Sequence, residues 1–152
     1  MVFVAQGTLM KTAANVLKSK GHQSVHTITP EASVFDAVQL MADKDIGALL
    51  VMDADEIAGI VTERDYARKV VLQGRSSSDT PVHAIMSAPV VCVGPMDSVA
   101  DCMAIMTERH IRHLPVLDGG RLAGIVSIGD LVKEVIEEQK QEISYLQQYI
   151  AG

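Results

Sequence analysis

Two four-residue stretches carry the chemistry this sequence can offer, Thr62-Glu-Arg-Asp65 and Ser127-Ile-Gly-Asp130. Each sets a hydroxyl three residues ahead of a carboxylate, and each follows the same glycine-led apolar run, Gly59-Ile-Val and Gly124-Ile-Val. Hydroxyl-x-x-acid is a capping-box pattern, in which the two side chains take up free N–H groups where a helix starts. The same geometry suits a ligand. A helix N-terminus presents N–H groups and positive potential to a phosphate, and a carboxylate held there can accept both hydrogens of a ribose cis-diol. The two roles are compatible, because a hydroxyl can cap and also donate.

Other reactive side chains form weaker patterns. His110 and His113 flank a predicted strand start rather than a helix face, and no acid or thiol lies at ligand spacing from them, so no metal centre is expected. In Gly124-Ile-Val-Ser-Ile-Gly129 the first glycine is one residue too far from the serine for a nucleophile elbow. Gly119-Gly120 reads as a turn, and neither a Walker loop nor a GxGxxG motif occurs. The methionines at 41, 52, 103 and 106 read as core filling. With no nucleophile–base pair, the chain reads as a binding protein and not an enzyme.

The elements that must position these residues come twice. Offset by 65, Val25–Val71 aligns with Val90–Ile136 without a gap, and 16 of 47 pairs are identical. Ala58-Gly-Ile-Val61 returns as Ala123-Gly-Ile-Val126. Within each copy a short apolar alternation (Val25–Ile28, Val90–Val93) predicts a strand. Ser33 and Ser98 stand at N-cap positions ahead of helical spacings, Val34, Ala37, Val38, Met41 and Val99, Met103, Met106. Two apolar runs follow, parted by hairpin punctuation at Asp53–Glu56 and Asp118–Arg121. A second helix is predicted from Glu63 and from Ile128. The fold class is α/β: two tandem β-α-β-β-α units, packed sheet to sheet with pseudo-twofold symmetry. The expected divisions are a leader and solvated helix over 1–24, a first unit over 25–73, a linker and lead-in over 74–86, a second unit over 87–136 and a helical extension over 137–152. Pro81–Met86 leads into the second unit, as Asn15–Gly21 at the same offset leads into the first. Val132, Val135, Ile136, Ile143, Leu146 and Ile150 mark an apolar stripe on the last helix, which needs cover from its own domain or a partner chain.

Composition narrows the partners. The 152 residues include 48% hydrophobic and 21% charged side chains, enough for a real core without disulfides. Aromatics are 3% and the formal charge is -6, which disfavours nucleic-acid binding by stacking or bulk charge. Cys92 and Cys102 form no CxxC and read as reduced thiols of a cytoplasmic protein. No signal h-region and no apolar run long enough to span a bilayer is visible.

The doubled Gly-h-h-Thr/Ser-x-x-Asp endings, the strand Ile111-Arg-His-Leu-Pro-Val-Leu-Asp118 and the Pro-x-x-Ser-Val-x-Asp helix starts resemble the CBS domain pair, or Bateman module, over about residues 12 to 136. The whole chain looks like a small stand-alone bacterial CBS-pair protein. The resemblance implies a regulatory module that binds an adenosyl ligand (AMP, ADP, ATP, NAD(H) or S-adenosylmethionine) in two clefts between repeats and signals occupancy to an unknown protein partner. It also implies a homodimer and requires no cofactor; a ligand-free protein–protein interaction module is the alternative. Carried over, one cleft uses Thr62, Arg64 and Asp65 with Pro89, Val90, Ile111, Arg112 and His113. The other uses Ser127, Gly129 and Asp130 with Val25, Thr29, Val34, Ile46, Gly47 and Ala48. Arg64, Arg112 and His113 offer phosphate charge to the first. The matching positions of the second, Gly129, Gly47 and Ala48, offer none, so nucleotides are expected to fill the Asp65 cleft first.

Overall fold

The computed structural model describes residues 11–21 and 25–151. In chain order its elements are α1 (Ala13–Lys20), β1 (Thr27–Ile28), α2 (Val34–Lys44), β2 (Ala48–Asp53), β3 (Glu56–Thr62), α3 (Glu63–Tyr66) with a π-helical continuation over Ala67–Val71, a 3-10 turn (Val82–Ala84), α4 (Val99–Arg109), β4 (His113–Asp118), β5 (Arg121–Ser127) and α5 (Ile128–Ala151). They form two compact units, one of residues 25–90 and one that joins 11–21 to 91–151. This is the mixed α/β, twice-repeated architecture expected from the sequence.

Matching residues build matching parts. Ser33 Oγ accepts the Asp36 N–H at 3.1 Å and Ser98 Oγ the Asp101 N–H at 3.0 Å, which fixes the starts of α2 and α4. Inward faces then recur at helical spacing, Val34, Ala37 and Met41 on α2, Val99, Cys102 and Met106 on α4. Both helices end on a residue in the left-handed region, Asp45 at φ 54 and His110 at φ 56. In the unit of residues 25–90 the sheet order is β1-β2-β3, with β1 parallel to β2 and β2 antiparallel to β3. Leu49, Val51, Val61 and Val70 form its core with the helix residues. In the other unit β4 and β5 pair antiparallel across Gly119 and Gly120, both at positive φ as the two-residue hairpin requires. Leu114, Val116, Val126 and Leu131 are buried there.

The predicted strand Val90–Val93 shrinks to one parallel bridge, Val93 with Val116. Val93 donates to the Pro115 carbonyl and accepts from Leu117, each at 2.9 Å. In a parallel ladder the next bond outward would be donated by residue 115, and proline has no N–H. Its counterpart Leu50 has one, and there the strand extends to Thr27. Two further differences concern the segments that precede the repeats. Pro81–Met86 does not lead forward into the second repeat's core: Val82 and Ile85 are buried with the first. The leader helix is more than a solvated one, since Ala13 and Val16 are buried in the core of the second repeat. Full burial of one valine is worth roughly 1.5–3 kcal/mol, so α1 is part of that unit.

The repeated glycine of the Ala-Gly-Ile-Val run marks where these segments cross their sheets. A Cβ on Gly59 would stand 2.7 Å from Met86 Sδ and 2.9 Å from the Ser87 carbonyl oxygen. Ser87 exchanges backbone hydrogen bonds with Ile60 there, at 2.9 and 3.0 Å. A Cβ on Gly124 would stand 2.7 Å from a Leu17 methyl of α1. Both positions need glycine for close approach.

Candidate functional site

Each repeat builds one carboxylate turn where its last strand meets its last helix. In the first, β3 ends at Thr62 in extended backbone and α3 begins. Asp65 N–H donates to Thr62 Oγ1 at 3.1 Å, while Asp65 Oδ2 accepts the Thr62 N–H at 2.9 Å and the Thr62 hydroxyl at 3.1 Å. Asp65 Oδ1 faces Lys69 Nζ at 3.2 Å, and that ammonium also donates to the Ile85 carbonyl at 2.9 Å. Both carboxylate oxygens are thus engaged. The strand register sets Ala48 opposite Thr62, and Gly47 accepts the Glu63 N–H at 3.1 Å, so the loop opening β2 lies against this turn.

The second turn repeats the frame and changes the cation. Asp130 N–H donates to Ser127 Oγ at 3.1 Å, and Asp130 Oδ2 accepts the Ser127 N–H at 2.8 Å. The same oxygen meets Lys20 Nζ at 2.8 Å, and Oδ1 has no hydrogen bond or ion pair among the described residues. Lys20 comes from α1 and is anchored by a second bond to the Ile125 carbonyl at 2.9 Å. Burial of the Asp130 carboxyl opposes ionisation, but the hydrogen bonds from Lys20 and Ser127, with the Lys20 charge, outweigh it and hold Asp130 below the usual carboxylate value. His113 lies opposite Ser127 in the β4–β5 register, and Arg112 accepts the Ile128 N–H on its carbonyl at 2.9 Å. Burial pulls the His113 imidazole below its ordinary value. Asp130 opposes this, while Lys20 and Arg112 add to it.

The neighbours of each turn differ from the expected grouping. Within its own unit the Thr62–Asp65 turn lies against Gly47 and Ala48, and the Ser127–Asp130 turn against Arg112 and His113, because the loop that opens the second strand of each repeat is hydrogen-bonded to that repeat's own turn. Arg64, Arg112, Gly129, Thr29 and Pro89 are exposed. Val25, Ile46, Val90 and Ile111 are half-buried. Val34 departs from the expectation: it is wholly buried in the first unit's core, where packing against Ala37 and Met41 occupies its side chain. Neither Arg64 nor Arg112 makes an ion pair among the described residues. The view that the Asp130 turn lacks basic charge is corrected by Lys20. Sequence reasoning missed Lys20 because its partner lies 110 positions away, although Lys69, at i+4 from Asp65, was within reach of a helical-spacing argument. Cys102 is a buried thiol, pushed up to about 11 by burial and by Asp97 and Asp101. Among the described residues no three His, Cys, Asp or Glu cluster as a metal site would need, and no helix is long and apolar enough to cross a membrane.

A family model described as CBS domain matches residues 21–72 and again 82–137. A CBS domain-containing protein of Arabidopsis thaliana, CBSX3, mitochondrial, is 41% identical over 149 residues, which cover 93% of this chain and 72% of the plant protein. A solved structure of a protein with CBS domains from Burkholderia ambifaria is similar at a TM-score of 0.82 and 59% identity, covering 84% of this chain and 96% of that one. A hexameric CBS-CP12 protein from bloom-forming cyanobacteria gives a TM-score of 0.71 at 34% identity, over 80% of this chain and 70% of that one.

Proposed function

This chain belongs to the CBS domain family, in which a domain pair is generally a regulatory module for adenosine ligands, and on that premise we propose that it senses adenine nucleotides (AMP, ADP, ATP or NAD(H)) and passes occupancy to a protein partner. The observation that carries the reading is the doubled carboxylate turn. Asp65 and Asp130 are each held by a backbone N–H of Thr62 or Ser127, half-buried and at the same offset in their repeats. A carboxylate fixed in this way accepts a ribose cis-diol without first losing side-chain freedom, so little ordering entropy opposes binding.

The two repeats supply different surroundings to the ligand. Thr62 and Ser127 hydroxyls lie beside the ribose position, and the half-buried Ile46, Ile111, Val25 and Val90 offer apolar faces for adenine. Arg64 and Arg112, exposed and without ion pairs among the described residues, are available to phosphate, for which guanidinium forks are well shaped. Replacing Arg112 with Met keeps the apolar stem and should weaken phosphorylated ligands by about 1–3 kcal/mol while sparing adenosine.

Titration calorimetry with AMP, ADP, ATP and NAD tests the reading. Asp65→Ala and Asp130→Ala should each remove about one site, because hydrogen bonds to a charged group are worth ~1.5–3 kcal/mol each. If the double variant, still folded by circular dichroism, binds as the native chain does, the assignment fails. If no adenosine compound binds or raises the melting temperature of the native chain, the carboxylates act as helix caps and the pair is an interaction module.

A further inference from the structure

The last helix outruns the unit it belongs to. Leu131 is buried and Val135 is packed against the core, and Lys11 ties the helix at Glu134 (2.8 Å) and Glu138 (3.2 Å). From Ile143 through Ile150 every residue is exposed. These eight residues, about two turns, are marginal as an unsupported helix in water. Yet these turns carry Ile143, Leu146 and Ile150, at 56, 49 and 82% exposure. With Val132 and Ile136, also exposed, they fall on one stripe at positions 132, 136, 139, 143, 146 and 150. The spacing alternates four and three, a heptad seam distinct from the inward face of Ile128, Leu131 and Val135.

We propose that this seam docks on the same seam of a second copy of the chain, as a parallel, in-register two-stranded coiled coil. Ile136, Ile143 and Ile150 take the a positions, and Val132, Gln139 and Leu146 the d positions. β-Branched residues at a with leucine at d favour two parallel strands. Charge and polarity choose the direction. The antiparallel alignment that overlaps the whole stripe puts Lys140 opposite the partner's Lys140 and Glu142 opposite the partner's Glu142, and it buries each Gln139 amide against isoleucine. The parallel alignment separates the like charges and sets Gln139 against the partner's Gln139, where each amide satisfies the other. A polar residue in the seam also fixes register.

Sedimentation equilibrium of the full chain reads the result. The native protein should dimerise, and Ile143→Glu with Leu146→Glu should raise the dissociation constant at least ~100-fold through lost apolar burial and like-charge repulsion. Both side chains lie beyond the folded core, so the melting temperature of the separated chains should hold. An Ile150→Cys variant should cross-link on mild oxidation at position 150 of both copies, as located by peptide mapping. A monomeric native chain, a dimer indifferent to the double substitution, or a dimer with no cross-link at position 150 would each overturn the proposal.

Discussion

The two carboxylate turns are alike in backbone and unlike in what neutralises them. Asp65 faces Lys69, four residues on in its own helical turn, with the lysine side chain 44% exposed. Asp130 faces Lys20, which reaches it from a helix at the other end of the sequence and is 26% exposed. Duplication copied the acid and its hydroxyl cap, and each copy then met a cation by a different route. A local pair adds to the stability of one short helix. A distant pair holds a separate segment to its repeat. Any ligand for the turns also meets two different carboxylates, Asp65 with both oxygens engaged and Asp130 with only Oδ2 engaged among the described residues.

The largest expected effect that would break or confirm this likeness is at the repeated glycines. Gly59→Ala presses a methyl on the Ser87 backbone and should cost about 2–3 kcal/mol, whereas Gly124→Ala meets only the flexible end of Leu17 and should cost about 1 kcal/mol. Urea denaturation compares the two, and equal losses would mean that both crossings are equally rigid. Next come the cations. Lys20→Met should cost about 1 kcal/mol because it also gives up the Ile125 carbonyl. Lys69→Met gives up the Ile85 carbonyl in the same way, but its ion pair is longer (3.2 against 2.8 Å) and its side chain more exposed, so it should cost less, about 0.5 kcal/mol. The smallest is a difference in pH response. His113 is lowered in the folded protein from its ordinary 6.5, so the unfolded chain takes up its proton first. Its contribution is therefore complete above about pH 6.5 and drains as pH falls toward the folded value. The first repeat has Ala48 at this position. His113→Gln should flatten the stability profile below pH 6.5, read from melting temperatures; an unchanged slope would assign it to another group.

Most of the frame was legible because it rests on local rules. Ser33 and Ser98 are the caps, and Thr62 and Ser127 close their turns with Asp65 and Asp130 as hydroxyl-x-x-acid spacing predicts. What escaped depends on residues distant in sequence. Apolar alternation at Val90–Val93 says nothing of the partner strand, and Pro115 decides that pairing. Val34 matches a family binding position but caps no surface; helical spacing with Ala37 and Met41 turns it inward. Lys20 reads as part of a solvated leader helix until α1 is placed on Gly124.

That placement of α1 has a consequence for how the chain is made. Synthesis runs from the N-terminus, and domains tend to fold as they emerge. Residues 25–90 are contiguous, so the first unit has its whole core, Val82 and Ile85 included, soon after position 90 is translated. The second unit waits on both ends of the message. Ala13 and Val16 are made early, must be kept from other apolar partners while some hundred residues are added, and join their core only once Val126 and Leu131 exist. Closing so long a loop is slow compared with pairing near neighbours. A chain started at residue 25 would keep the first repeat's core intact and leave the second without Ala13 and Val16.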